Sequence, residues 1–507
     1  MKLNYKKTIL VGFAFFLIMT FWQAYDTIIP KILTDKFGMS QSISGAVMAL
    51  DNILALFLLP LFGALSDKTH SKFGRRTPYI VVGTVVAAVL FVCLSFADNM
   101  QLTNLGKVGD VGSTEALEVL YDNEYNKPLK TPDGVEFSIK EKFTREEFTS
   151  ITLESSDYSE YVVPARQSYA WQQTMRSPTA LIFFAGLLLV VLVAMGIFRS
   201  PAVALMPDVT VKPLRSKANA VINLMGTAGG ILVLVLGMVF GTGSTKNALM
   251  SYTVFFSVVA AIMIGALIIF ILTVKEPKLV KEMHEESVKY GIDSGDDDTE
   301  NGEKKLSKGE LASLILILAS VVLWYMGYNA VTSKYSVYAG KVLELDYNLT
   351  LIVAQAAAII SYIPVGIISS RFGRRKTIMA GIVMLGVAFG VAAFMRAGSS
   401  PIIMNCLFAL AGIGWATINV NSYPMVVELA KGSDVGKYTG FYYTASMAAQ
   451  TVTPVLSGIF LDIKFTTLFP YATIFTFGSL VTMFFVKHGD SKPVNDKSVI
   501  ETLGSGD

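Results

Sequence analysis

A short basic segment between two apolar runs constrains the fold of this chain most strongly. Residues 63–78 crowd four positive charges into one turn: Lys68, Lys72, Arg75 and Arg76. The flanking runs, residues 41–62 and 79–96, are about long enough for helices that cross a bilayer, which takes about 20 residues. Short loops rich in Lys and Arg stay on the cytoplasmic side of a membrane. The pattern therefore predicts two membrane helices joined by a cytoplasmic turn.

A weaker copy of this segment, residues 366–376, appears about 300 residues later, so the chain consists of two related halves. Counting apolar runs predicts an all-α membrane protein with twelve transmembrane helices, six in each half. The predicted boundaries are helices 1–3 in residues 1–97, an insertion at 98–177, helices 4–6 in 178–274, a charged linker at 275–310, helices 7–12 in 311–487 and a tail at 488–507.

Three passages carry a family resemblance: the wording Gly63-x-x-Ser-Asp67 with Ser-Lys-Phe-Gly74-Arg75-Arg76-x-Pro, residues 201–208, and residues 324–333. The first resembles the signature between helices 2 and 3 of the major facilitator superfamily. Together they are similar to its sucrose-carrier and glycoside–pentoside–hexuronide:cation symporter branch. The resemblance implies the major facilitator fold and proton-coupled sugar symport by alternating access, with a glucoside or a disaccharide such as sucrose or maltose. It spans the chain apart from the insertion and the tails.

The chain departs from this branch in helix 4. Val203 stands where plant members carry an arginine, and the predicted helix 4, residues 179–197, has no acid. Arg199 either substitutes for that arginine or marks the cytoplasmic end of the helix. The acid that couples transport to a cation must then lie elsewhere, and the cation, proton or sodium, is left open.

Composition supports a membrane protein and excludes several other classes. Hydrophobic residues make up 52% and charged residues 16% of the chain, against about 25% charged residues in soluble domains. The net charge of +3 does not indicate nucleic-acid binding. Cys93 and Cys406 lie inside apolar runs, so neither a disulfide nor a metal site is predicted. The sequence shows no phosphate loop or nucleophile elbow, so we expect no enzyme activity, catalytic residue or cofactor.

Two aspartates inside predicted helices are the candidates for proton coupling. Asp51 lies near the middle of helix 2, where an ionised carboxylate is costly unless a cavity or a cation stabilises it. Its alternative role is a structural pair with a buried cation. Asp26 lies on one face of helix 1 with Gln23 and Thr27, and it either faces a cavity or reaches external water. Asp51 is the first candidate and Asp26 the second.

Amide and aromatic side chains inside the helices are the candidates for substrate binding: Gln23, Asn52, Asn223, Tyr325, Asn329, Gln355, Asn419 and Gln450. Rings stack on apolar sugar faces and amides bond hydroxyl groups, although aromatic residues at a helix end also form interfacial belts. A multidrug/proton antiporter is the alternative, but its site is expected to be more uniformly apolar. A membrane sensor that uses the insertion is a further alternative.

The basic segments and their acidic partners predict a cytoplasmic gate: Gly63, Asp67, Gly74, Arg75, Arg76, Arg199, Asp208, Arg371, Gly373, Arg374 and Arg375. We expect a monomer in the cell membrane that spans the bilayer many times. Both termini and the linker are predicted to be cytoplasmic and the insertion external. The insertion is interpreted as a solvated cap, with a small strand-containing lobe as the alternative.

Overall fold

A computed structural model describes residues 3–211, 214–289, 306–429 and 435–490. This part of the chain forms twelve long helices, as predicted. Their bounds are helix 1 Tyr5–Lys31, helix 2 Gln41–Met48 continued by Leu50–Asp67, helix 3 Thr77–Leu105, helix 4 Thr179–Asp208, helix 5 Arg215–Phe240, helix 6 Thr253–Thr273, helix 7 Lys308–Tyr338, helix 8 Tyr347–Phe372, helix 9 Arg374–Ala392, helix 10 Pro401–Val427, helix 11 Val435–Ile463 and helix 12 Leu468–Phe484. Five-residue π-helical turns continue helix 1 to Lys36 and helix 7 to Leu343.

The surface of these helices is suited to lipid. Within the described residues, ten spans are long and apolar enough to cross a membrane, and the apolar stretch Tyr347–Tyr362 belongs to helix 8. Large apolar side chains such as Leu272 and Ile474 are 68% and 70% exposed. Exposed apolar area on this scale requires an apolar surrounding. The helices are therefore membrane-spanning segments.

The chain divides into two compact units. The larger unit comprises residues 1–295, 333–349 and 458–465, and the smaller comprises residues 296–332, 350–457 and 466–507. This division differs from the predicted halves, because the connection between helices 7 and 8 and the end of helix 11 cluster with the first six helices. Hydrogen bonds described below hold these segments in the larger unit.

Close backbone approaches pack the helices of the larger unit. Helix 5 lies on helix 1, where a Cβ atom at Gly229 would come within 2.7 Å of the carbonyl oxygen of Phe16. Helix 3 lies on helix 4, where a Cβ atom at Gly83 would meet Phe198 at 2.6 Å. Aromatic rings fill the interior, with Phe91 centred 5.2 Å from Phe21 and 4.3 Å from Phe256.

The insertion folds into a lobe with its own core. We call residues 106–176 the lobe. A two-stranded antiparallel sheet pairs Leu129–Lys130 with Glu136–Phe137, and short helices surround it. Buried side chains including Leu120, Ile139 and Phe148 form the core. The strand-containing alternative is thus the one observed. Helix 3 runs to Leu105, past its predicted end at residue 97.

The charged linker begins with a helix. Glu276–Lys289 forms a helix, which we call the linker helix, where the sequence indicated only a charged segment without a stable core. Its first residue explains the difference, because the side chain of Glu276 is 1% exposed and hydrogen-bonded to the chain entering helix 3. In the smaller unit, helix 9 packs on helices 10 and 12. There Gly381 and Gly414 allow the backbones of helices 9 and 10 to touch.

Candidate functional site

Two acids and one arginine share the interior of the larger unit. Asp26 lies on helix 1, Asp51 on helix 2 and Arg199 on helix 4. The two carboxylates are close enough for their charges to interact with each other and with the guanidinium. The Asp26 side chain is exposed and the Asp51 side chain is half-buried. With both acids ionised, the three groups carry one net negative charge.

Arg199 lies beside the acids and not at the end of its helix. Its guanidinium carbon is 5.3 Å from the centre of the Trp22 ring, within range of a cation–π contact. Helix 4 continues to Asp208, so Arg199 sits more than two turns before its end. The structure therefore does not bring Arg199 to the basic loop with which the sequence grouped it. The other alternative, that Arg199 substitutes for the arginine of the plant members, stays a prediction.

Helix 2 consists of two segments that meet just before Asp51. The helix is interrupted at Ala49, and Asp51 lies in the first turn after the break. The side-chain nitrogen of Asn52 donates to the Asp51 carboxylate at 2.8 Å. No described residue within 4.0 Å forms a salt bridge with Asp51 or Asp26. The alternative role of Asp51 was a structural pair with a buried cation. The described cation that interacts with Asp51 is Arg199, and it acts at a longer range than a salt bridge.

The other predicted binding residues divide between the units. Gln23 and Asn52 are half-buried in the larger unit, and Asn223 is exposed on helix 5. The remaining five lie in the smaller unit, all half-buried: Tyr325, Asn329, Gln355, Asn419 and Gln450. Each unit thus contributes polar side chains from inside its membrane helices.

An aromatic cluster with amide neighbours lies in the smaller unit. The rings of Tyr328 and Trp415 stack with centres 3.7 Å apart and planes 3° apart, and Tyr325 meets Trp415 edge-on at 5.2 Å. Asn419 is hydrogen-bonded to Tyr362. The side-chain nitrogen of Asn329 is buried and has no hydrogen-bond partner in the described residues. A buried unpaired donor costs about 1–3 kcal/mol, which a ligand acceptor would recover.

The basic loop forms an ion-pair cluster with acidic residues of helices 2 and 4. The Arg76 guanidinium pairs with Asp67 and, at 2.8 Å, with Asp208, while Arg75 reaches the second oxygen of Asp208 at 2.9 Å. The Arg76 guanidinium also donates to the carbonyl of Gly63 at 3.4 Å. Burial of Arg76 opposes its charge, but the hydrogen bonds and charges of Asp208 and Asp67 outweigh that effect and raise the pKa of Arg76. The cluster ties helices 2, 3 and 4 together.

Glu276 completes this cluster and was missed by the sequence analysis. Its carboxylate accepts from the backbone nitrogens of Arg75, Arg76 and Thr77 at 2.8 to 3.1 Å. Those nitrogens belong to the first turn of helix 3, where donors otherwise lack partners. Gly74 has a φ of +110°, and a Cβ atom there would lie 2.2 Å from the carboxylate. Only glycine fits this approach.

The second basic segment repeats the arrangement in the smaller unit. Arg374 pairs with Glu428 at 2.8 Å, matching Arg75 with Asp208. Asp490 accepts from the backbone nitrogen of Arg374 at 2.6 Å, next to Gly373 with a φ of +91°. Arg375 instead donates to the carbonyl groups of residues 483 and 484, and Arg371 is exposed. Asp490 was also missed, because the sequence places it in a polar tail.

Buried charges at the opposite end of the larger unit were not predicted. We call the end that carries the lobe the lobe side. Lys36 pairs with Asp98 there, and both side chains are fully buried. Lys334 is also fully buried and donates to the carbonyl of Gln41 at 2.7 Å. Asp462 accepts from the backbone nitrogen of Gln41 at 2.5 Å. A hint was available, since charged residues inside apolar runs usually find partners.

Several curated proteins are locally similar to this chain. A protein of Escherichia coli K12 named as a glycoside/cation symporter, YagG, is 26% identical over 114 residues, which is 22% of this chain and 24% of that protein. The sucrose transport protein SUC3 of Arabidopsis thaliana is 34% identical over 68 residues, 13% of this chain and 11% of that protein. The matches thus span at most a quarter of these relatives, and both lie in the branch that the motifs resemble.

Solved structures and family models match over longer stretches. The structure titled as a D-xylose-proton symporter has a TM-score of 0.57 at 14% identity, covering 97% of this chain and 100% of that one. A POT family transporter has a TM-score of 0.59 at 10% identity, with 95% of each chain covered. These similarities concern the fold. The MFS/sugar transport protein model matches residues 10–109. The Major Facilitator Superfamily model matches residues 169–361 and 344–503, more than half of the chain, so this twelve-helix membrane protein belongs to the major facilitator superfamily.

Proposed function

We propose that the protein is a secondary active transporter that carries a sugar together with a proton by alternating access. The observation that carries the proposal is the group of Asp26, Asp51 and Arg199, which lie on membrane helices 1, 2 and 4 of the larger unit within range of one another's charges. Charged side chains at such depth are costly and mark ion pathways. The protein is not expected to be an enzyme, and its sites are expected to serve binding alone.

The net charge of this group gives a reason for coupling. Two carboxylates and one guanidinium leave one negative charge, and a single proton neutralises it. A neutral group is cheaper to enclose when the transport path closes around it. The carboxylates interact, so the proton belongs to the pair, with Asp51 as its first expected carrier and Asp26 as the second. Asn52 holds the Asp51 side chain in place by donating to it.

The aromatic cluster and the amides support a sugar as the substrate. Rings such as Tyr325 and Trp415 offer surfaces for the apolar faces of a pyranose, and the unpaired nitrogen of Asn329 offers a donor for a hydroxyl group. A glucoside or a disaccharide such as sucrose or maltose fits this mixture. The named relatives YagG and SUC3, a glycoside/cation symporter and a sucrose transport protein, support the same class. Coupling follows if proton and sugar favour the same conformation, and the effect is reciprocal.

The basic cluster fits a gate and not a substrate site. Its charges are already paired with one another and with backbone groups, so little is left for a ligand. We place this gate on the cytoplasmic side, with both termini, and the lobe outside the cell membrane. A monomer is sufficient for this mechanism. A multidrug/proton antiporter is the alternative, but the half-buried amides make its site unusually polar; a sensor that uses the lobe is less well supported.

Uptake into proteoliposomes tests the proposal directly. The purified protein is reconstituted, and radiolabelled glucosides, sucrose and maltose are offered outside. With an acidic exterior, we expect accumulation above the external concentration, which a protonophore abolishes. Parallel vesicles with a sodium gradient identify the cation, and empty vesicles are the control. Sugar-independent uptake, or export of apolar cations in exchange for protons, would contradict sugar symport and favour the antiporter.

A further inference from the structure

The lobe is hydrogen-bonded to the turn between helices 1 and 2. Its last helix, Val163–Arg176, supplies two side chains that donate to carbonyl oxygens of this turn: Gln167 to Met39 at 2.9 Å and Thr174 to Phe37 at 3.0 Å. The turn contains Gly38, whose φ is +69°. A Cβ atom at Gly38 would lie 2.2 Å from the backbone of the same lobe helix. The turn and the lobe helix are therefore in direct backbone contact.

The lobe also binds the start of the connection between helices 7 and 8. The ammonium group of Lys341 donates to the side-chain oxygen of Gln167 at 2.7 Å. Ser159 donates to the carboxylate of Glu344, a residue in the left-handed conformation that ends the helix. Lys341 is 7% exposed and lies 3.6 Å from Asp35. Lys341 is therefore largely removed from water in this contact, whereas the bond between Ser159 and Glu344 is exposed.

A third contact joins the lobe to the end of helix 11. The backbone nitrogen of Phe465 donates to the carbonyl of Pro132 at 2.8 Å. Lys464 pairs with Asp133 at 3.2 Å, with both side chains about half exposed. Gly134 leaves room for the chain here, because a Cβ atom would lie 2.6 Å from the carbonyl of Ile463. The strand region of the lobe and its last helix therefore bind different helix ends.

Gln167 links two of these contacts through one side chain. Its nitrogen donates to the turn after helix 1 and its oxygen accepts from Lys341 of helix 7. All these residues lie in the larger unit. In an alternating-access carrier, a path opens on one side when the ends of helices from the two halves separate. The lobe bridges the helix ends that such an opening on the lobe side must part.

We propose that the lobe is a clasp: it holds the lobe-side ends of helices 1 and 2 to those of helices 7 and 11, and its release sets the rate of opening on that side. The inference rests on the proposed transport function, since only a carrier needs the ends to separate. The clasp acts through Gln167–Lys341, Ser159–Glu344 and the contacts of residues 132–133 with 464–465. It gives the inserted lobe a mechanical role and requires no ligand.

Thiol accessibility tests the clasp without any substrate. In a protein with Cys93→Ala and Cys406→Ala, Ser336→Cys serves as reporter, because Ser336 lies on helix 7 and is 3% exposed, with a hydroxyl that has no hydrogen-bond partner in the described residues. Gln167→Leu removes both links of Gln167. We expect labelling of the reporter by a membrane-impermeant thiol reagent to become roughly tenfold faster, since a bond to a charged group is lost. Gln172→Leu is the matched control, because Gln172 bonds only within the lobe.

Cross-linking tests the same clasp by preventing its release. In the same background, Ser159→Cys and Glu344→Cys joined by a short bifunctional thiol reagent should stop transport, and a reductant should restore it. Equal labelling of the Gln167→Leu and Gln172→Leu proteins, or full transport by the cross-linked protein, would overturn the clasp. Faster labelling in a protein that carries no sugar would contradict the proposed function and leave the clasp intact. If the protein accumulates sugar but neither Gln167→Leu nor the cross-link has an effect, the proposed function stands and the clasp is wrong.

Discussion

The ammonium nitrogen of Lys36 lies 2.5 and 2.7 Å from the two carboxylate oxygens of Asp98, and neither side chain is exposed. The same nitrogen donates to the carbonyl of Met250 at 2.7 Å, so all three of its protons have acceptors. The pair joins the end of helix 1 to helix 3. Two buried charges are tolerable only together, since each alone would pay the full cost of leaving water.

Breaking this pair should destabilise the protein more than deleting it. Asp98→Asn leaves the Lys36 charge buried without its counter-charge, and we expect the free energy of unfolding to fall by about 3–5 kcal/mol. Lys36→Met combined with Asp98→Leu removes both charges and should cost much less. Thermal unfolding of the detergent-solubilised proteins measures both. A double variant that is less stable than Asp98→Asn would show that the pair itself, and not the uncompensated charge, dominates.

The proton-coupling proposal predicts that Asp51→Asn separates sugar movement from the proton. Asparagine resembles the protonated acid in shape and charge, so the exchange of internal for external sugar in the absence of a gradient should continue. Accumulation driven by an acidic exterior should be lost, because the group no longer changes charge. Counterflow and pH-driven uptake in proteoliposomes measure the two activities. If Asp51→Asn still concentrates sugar and Asp26→Asn does not, the proton is carried by Asp26.

The gate proposal predicts a rate effect at Asp67. Its carboxylate pairs with Arg76 but is 56% exposed, and Arg76 keeps its bond to Asp208 when Asp67 is changed. Asp67→Asn should therefore slow maximal transport several-fold, because one contact of the closed state is weakened. The sugar concentration that gives half-maximal uptake should change little. A large loss of apparent affinity at unchanged maximal rate would rule out a gate and place substrate at this loop.

Membrane orientation is tested by cysteines on two segments. Ser113 lies in the lobe, and Ser294 lies in the linker outside the described residues. In a cysteine-free protein in intact cells, an impermeant thiol reagent should label Ser113→Cys from outside and Ser294→Cys only after permeabilisation. The count of twelve helices and the basic loops motivate this expectation. Labelling of both residues from the same side would contradict the predicted topology.

The sequence predicts the helices and the basic cluster well because their signals are local. Apolar runs of about 20 residues reveal membrane helices without knowledge of their neighbours. Gly74, Arg75 and Arg76 are adjacent in the chain, and the repeat at Gly373 reinforces them. The family wording also brings Asp208 into the predicted gate, without naming its partner. Such features need no information on distant contacts.

Long-range partners are the part that the sequence does not specify. Lys36 and Asp98 lie 62 positions apart. Considered separately, each is a charged residue near the end of an apolar run, which gives no indication that the two form a buried pair. The sequence places Glu276 in a charged linker. In the structure its carboxylate instead accepts from backbone nitrogens at the start of helix 3, about 200 positions away. Arg199 is assigned to a helix end because helix 4 continues further than its apolar run. In each case the decisive contact comes from another helix.

Glu276 provides the last prediction, since one carboxylate accepts from three backbone nitrogens at the start of helix 3. Glu276→Ala removes these acceptors and leaves buried donors without partners, which should lower the free energy of unfolding by about 2 kcal/mol. Glu276→Gln keeps one acceptor and should cost less. The cluster of Arg75 and Arg76 should loosen, so protease cleavage in the basic loop should accelerate. Glu285→Ala is the control on the same helix, because Glu285 forms only an exposed pair with Lys281. Equal cleavage and melting of the Glu276→Ala and Glu285→Ala proteins would show that helix 3 does not depend on this cap.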